Sequence, residues 1–82
     1  MANLATIEVN TNGEYLNLAE LADITFTSGN AYAIQIQTNI TYLREGDIGE
    51  GFLVTSPKPI QYTAGADTLY IKTDYAIVNI AG

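Results

Sequence analysis

The sequence predicts an all-β domain, a small antiparallel sandwich or barrel of about eight short strands with no substantial helix. Three observations carry this. Apolar and polar residues alternate at period two, most clearly in Tyr32-Ala33-Ile34-Gln35-Ile36-Gln37. Turn-forming clusters recur at short intervals: Asn12-Gly13, Ser28-Gly29-Asn30 and Ala64-Gly65-Ala66-Asp67. Helical character is confined to Ala19-Glu20-Leu21-Ala22-Asp23, enough for a single turn.

Each element follows from local chemistry. Residues 1–5 are read as an N-terminal arm. Thr6–Asn10 alternates, Asn12-Gly13 is a strong type I′ turn pair, and Glu14–Leu18 alternates again, which predicts a hairpin. Ile24–Thr27 starts a three-strand meander. It continues through Tyr32–Gln37, a tight turn at Thr38-Asn39, and Ile40–Arg44. Glu45–Gly51 is a loop with three glycines and three acids, and Phe52–Thr55 returns to strand. Ser56-Pro57-Lys58-Pro59 must be extended, because each proline biases its predecessor away from helix. Neither proline can donate to a ladder, so the segment belongs at a sheet edge or between sheets. Ile60–Thr63, Thr68–Thr73 and Ala76–Ile80 complete the strands.

Phe26-Thr27-Ser28-Gly29 has an echo in Tyr62-Thr63-Ala64-Gly65, and Tyr32-Ala33-Ile34-Gln35 in Leu69-Tyr70-Ile71-Lys72. The two stretches are comparable sheet-building units, or two uses of one good turn recipe. The Tyr32, Ile34 and Ile36 face should pack on that of Leu69 and Ile71, or on a neighbouring subunit. The expected core is Ile7, Val9, Leu16, Leu18, Ile24, Phe26, Ile34, Ile36, Tyr42, Val54, Leu69, Ile71, Val78 and Ile80.

The 82 residues make one domain, 1–82. A core of this size yields only about 3–5 kcal/mol unless something staples it. Cysteine and histidine are absent, which removes disulfides and thiolate or imidazole zinc sites as staples. Self-association is the staple that remains, and a compact monomer is the alternative. The net charge is −6, with Arg44, Lys58 and Lys72 against nine acids, so direct nucleic-acid binding is not expected. No apolar run approaches the roughly 20 residues that span a bilayer, and Met1-Ala2-Asn3 does not open a signal peptide.

Catalysis is not expected. The serines and threonines have no histidine or cysteine to activate or replace them. Glu45, Asp47 and Glu50 form a local acidic cluster without the spacing of a calcium loop, and read as a solvated turn. No cofactor or metal is implied. The candidate partner or subunit contacts are Tyr15, Arg44, Phe52, Tyr62, Tyr70 and Tyr75. The tyrosines among them are also candidates for stacking on a glycan, and Arg44 is a candidate for an ion pair with Glu45.

A family resemblance adds to this reading. Phe26-Thr27-x-Gly29, Tyr32-x-Ile34-Gln35-x-Gln37, Tyr42-Leu43-Arg44-Glu45 and Gly51-Phe52 are followed by Pro59-Ile60-x-Tyr62-Thr63-x-Gly65, Leu69-Tyr70-Ile71-Lys72 and Asn79-Ile80-Ala81. This order of strand and turn positions, over residues 26–81, resembles small bacteriophage virion proteins of the head-fibre or capsid-decoration kind. The resemblance implies a non-enzymatic structural subunit made in the host bacterial cytoplasm and carried on the virion. It implies a homo-oligomer, commonly a trimer, docked on other virion proteins. The alternative is a β module that binds a glycan or host surface.

Overall fold

Alternating side chains divide the described residues into eight strands and one short helix. The computed structural model describes residues 3–37, 40–46, 51–55 and 57–82. The strands are β1 (Asn3–Val9), β2 (Leu16–Asn17), β3 (Ala31–Gln37), β4 (Thr41–Glu45), β5 (Phe52–Val54), β6 (Ile60–Thr63), β7 (Leu69–Thr73) and β8 (Ala76–Ala81); helix α1 (Leu18–Ala22) follows β2. They form two four-stranded sheets, ordered β1-β8-β3-β6 and β2-β7-β4-β5. Every neighbouring pair is antiparallel. This is the connectivity of the eight-stranded jelly roll, two interleaved Greek keys. Advancing each strand number by four converts one sheet's order into the other's, so the halves of the chain occupy equivalent places.

That equivalence explains the sequence echo. β3 and β7 are interior strands of the two sheets. The echoed pair Ile34 and Ile71 is fully buried in both, while Gln35 and Lys72 lie on the outer faces. Tyr32, Ile34, Ile36, Leu69 and Ile71 all belong to one core cluster, with Val9, Leu43, Val54, Val78 and Ile80.

Several connections differ from the sequence expectation. Asn12 and Gly13 do have positive φ, 53° and 81°, and the Glu14 N–H donates to the Thr11 carbonyl at 3.1 Å. The turn is therefore as expected, but it does not close a hairpin. β1 pairs with β8 and β2 with β7, so the turn is a corner between sheets. Buried hydroxyls hold that corner in place of a ladder. Thr11 N–H donates to the Thr73 carbonyl at 3.0 Å, Thr73 N–H donates to Thr11 Oγ1 at 3.1 Å, and Thr41 Oγ1 donates to Thr73 Oγ1 at 3.1 Å.

The meander is also not formed. β3 lies between β8 and β6, and β4 between β7 and β5, so the chain changes sheet between β3 and β4. The expected turn at Thr38-Asn39 lies outside the described residues. Ile24–Thr27 is not a strand. Asn3–Ala5, expected in the arm, belong to β1. In β4, Thr41 and Leu43 face inward and Tyr42 outward. The expected core residue was thus one position off, and a slip of one residue reverses a strand's faces.

The helical turn and the proline segment match expectation. Asn17 Oδ1 accepts the N–H groups of Ala19 at 3.0 Å and Glu20 at 3.4 Å, capping α1, and Asp23 ends it in the left-handed region. The prolines lie between β5 and β6, which are edge strands of different sheets.

Candidate functional site

Three surface features could carry function. The first is the outer face of the β2-β7-β4-β5 sheet. Alternation puts Tyr42 and Arg44 of β4 outward, and Tyr70 and Lys72 of β7 likewise. Register then pairs a ring with a cation twice, Tyr42 opposite Lys72 and Arg44 opposite Tyr70. Tyr15, just before β2, completes the group. Arg44 Cζ is 4.0 Å from the Tyr15 ring centroid and 5.4 Å from that of Tyr70. Lys72 Nζ is 4.9 Å from both Tyr15 and Tyr42.

Backbone contacts fix this arrangement. Arg44 Nε donates to the Gly46 carbonyl at 2.9 Å, and the Gly51 N–H donates to the Tyr15 hydroxyl at 3.1 Å. A Cβ at Gly51 would overlap the Tyr15 hydroxyl and the Leu43 carbonyl, so only glycine allows this approach. Arg44 does not pair with Glu45, because neighbours on a strand point to opposite faces. Among the described residues neither Arg44 nor Lys72 is in an ion pair; each is met by rings instead.

The second feature is the β5 edge. Phe52 and Leu53 are each 52% exposed, although both are large and apolar. They border a groove of about 420 Å³ with Val54, Thr55, Lys58, Pro59 and Ile60. The third is a cleft of about 260 Å³ between the segment 24–26 and the turn 65–68, which also reaches Asn17 and Tyr62.

Tyr62 is core rather than surface, at 8% exposure. Its ring meets Phe26 edge-on at 5.3 Å, and Phe26 meets Tyr32 at 4.9 Å. Burial raises the Tyr62 phenol above the ordinary tyrosine value, helped by the nearby charges of Glu45 and Asp67. The Tyr32 phenol is lowered, chiefly because its oxygen accepts the Thr27 N–H at 2.7 Å.

The structure thus gathers Tyr15, Arg44 and Tyr70 on one face and leaves Phe52 on an adjoining edge. Tyr75 is exposed beyond the end of β7, and Tyr62 is removed to the interior. Sequence reasoning missed Tyr42 and Lys72 as members of the face. Their signal was the strict alternation of Tyr42 with Arg44 and of Tyr70 with Lys72. Asp47 and Glu50 of the acidic loop lie outside the described residues. Among the described residues no helix is long and apolar enough to cross a membrane. Comparison of the chain with protein-family models, with curated proteins and with solved structures found no match.

Proposed function

We propose that this chain is a non-enzymatic structural subunit of a bacteriophage particle, acting by self-association and by docking on other virion proteins. The observation that carries the reading is the β5 edge. An 82-residue domain without cysteine leaves Phe52 and Leu53 half in water on an edge strand. Exposed apolar clusters are favoured sites of protein contact. Burying them between copies supplies the stability that a core of this size lacks.

The jelly-roll strand order supports the reading, because viral capsid domains use it; so do lectins, and fold alone does not choose between them. The lectin-like alternative has its best footing in the cleft at Phe26, Tyr62 and Asp67, where rings and polar groups meet. The outer-face tyrosines suit it less, since Arg44 and Lys72 already lie over the Tyr15 ring.

Mass spectrometry of purified particles tests the assignment. The chain should be a stoichiometric component, and its absence from particles would overturn the reading. The homotrimer that the resemblance implies is tested by the mass of the purified assembly.

A further inference from the structure

The outer face of the β2-β7-β4-β5 sheet presents an unusual charge pattern. Two of the chain's three cations converge on one ring, with Arg44 Cζ at 4.0 Å and Lys72 Nζ at 4.9 Å from the Tyr15 centroid. Two like charges gathered on one ring repel, and a bound anion would offset that repulsion. The chain has nine acids, yet among the described residues none neutralises either cation. Asp74 borders the same hollow as Lys72 without pairing with it.

Both cations also keep donors in reserve. Arg44 spends Nε on the Gly46 carbonyl, which leaves the rest of its guanidinium fork for a carboxylate. The Lys72 ammonium makes no hydrogen bond among the described residues. The rings hold both side chains in place, so less side-chain entropy is lost on binding.

The complementary surface is on the same molecule. Glu45 and Asp67 are exposed, and the Gly46 N–H donates to the Thr68 carbonyl at 2.8 Å with the Asp67 side chain beside Gly46, so two carboxylates come to one end of the sheet. We infer that the Tyr15–Arg44–Lys72 face binds the acidic Glu45–Asp67 end of a second copy of this chain. Because the two patches differ, the contact either closes as a two-fold pair, each copy's face on the other's acidic end, or repeats from copy to copy. It rests on the self-association reading above but uses a different surface from the Phe52–Leu53 edge.

Sedimentation of the full chain separates the two contacts. Charge attraction should act at about 0.1 M salt, where the screening length is roughly 10 Å and most of the repulsion between two chains of net charge −6 is screened, and fade at about 1 M, where it is roughly 3 Å. The apolar edge should persist at both. Arg44→Glu with Lys72→Glu should lose the salt-sensitive association, and so should Glu45→Lys with Asp67→Lys. The second pair changes exposed residues, which keeps the test valid if the first pair fails to fold. Mixing the two reversed variants should restore a salt-sensitive complex that neither forms alone. Salt-sensitive association unchanged by Glu45→Lys with Asp67→Lys, or a mixture that stays unassociated with both variants folded, would overturn the inference. Association that depends on Phe52 and Leu53 but is indifferent to salt would overturn it too, while leaving the structural-subunit reading intact. Loss of all association in the wild type would remove both.

Discussion

The two sheets have equivalent strand positions but opposite outer faces. On the β1-β8-β3-β6 sheet the outward residues include Gln35, Gln37, Gln61 and Asn79, an amide surface. Asn79 Nδ2 donates to Gln35 Oε1 at 3.4 Å, and Gln35 Nε2 donates to the Pro57 carbonyl at 2.9 Å. Gln35 thus meets both Asn79 and the chain's own backbone. On the β2-β7-β4-β5 sheet the matching positions hold Tyr15, Tyr42, Arg44, Tyr70 and Lys72. The echo itself records the divergence, because Gln35 in one copy stands where Lys72 stands in the other. The inward residues stay apolar in both, Ile34 against Ile71. The core constrains both sheets alike, and what distinguishes their outer faces is charge and aromaticity.

The largest effects should strike both sheets equally. Ile34→Asp and Ile71→Asp each bury a carboxylate at a fully buried position, at a cost of at least about 4 kcal/mol. Neither variant should show a cooperative thermal transition. A normal melt for one of them would mean that the sheets do not share a single core.

A smaller effect should separate the faces. Tyr15→Ala removes the ring beneath both cations and the acceptor for the Gly51 N–H, which should cost about 1–3 kcal/mol in urea unfolding. Tyr15→Phe keeps the ring and should cost about 1 kcal/mol. Equal losses for the two would show that the hydroxyl, rather than the cation contacts, holds the face together.

Alkaline pH probes the interior between the faces. The folded Tyr62 phenol is raised above its unfolded value, which is near about 10. The unfolded chain therefore releases this proton first. The stability it contributes is complete below about pH 10 and is lost as pH rises through the folded value. Tyr32, lowered in the folded state, has the opposite slope. Tyr62→Phe should flatten the alkaline fall in thermal midpoint and Tyr32→Phe should steepen it. Matching profiles for the two variants would contradict the assigned environments.

The smallest effect lies on the amide face. Gln35→Glu loses the donor to the Pro57 carbonyl and should cost about 1 kcal/mol or less by chemical denaturation. A loss as large as that of Tyr15→Ala would mean the amide face is not the passive one.

Strands were legible where period two runs clearly, as over Tyr32–Gln37, because the pleat imposes it under any topology; Ile24–Thr27, too short to show it, is not a strand. The partners were not legible. Asn12-Gly13 fixes a local turn, yet the Thr11 and Thr73 hydroxyls direct the flanking strands into different sheets, and those residues are 62 positions apart. Tyr42 was misplaced for a related reason. Tyrosine and leucine both suit a half-buried strand, and the inward position was settled by Thr41 meeting Thr73 across the ladder. The candidate contact residues were legible as types but not as a group. Register sets Arg44 opposite Tyr70, the Gly51 N–H on the Tyr15 hydroxyl adds Tyr15, and alternation sends Tyr62 inward.

The central claim is self-association through the β5 edge. Its most direct test is sedimentation at low micromolar concentration and high salt, comparing the wild type with Phe52→Ser, Leu53→Ser. The wild type should sediment as an oligomer of the 8.8 kDa chain and the variant as a folded single chain. A wild type that remains a single folded chain under those conditions, or a variant that assembles as the wild type does, would contradict the account.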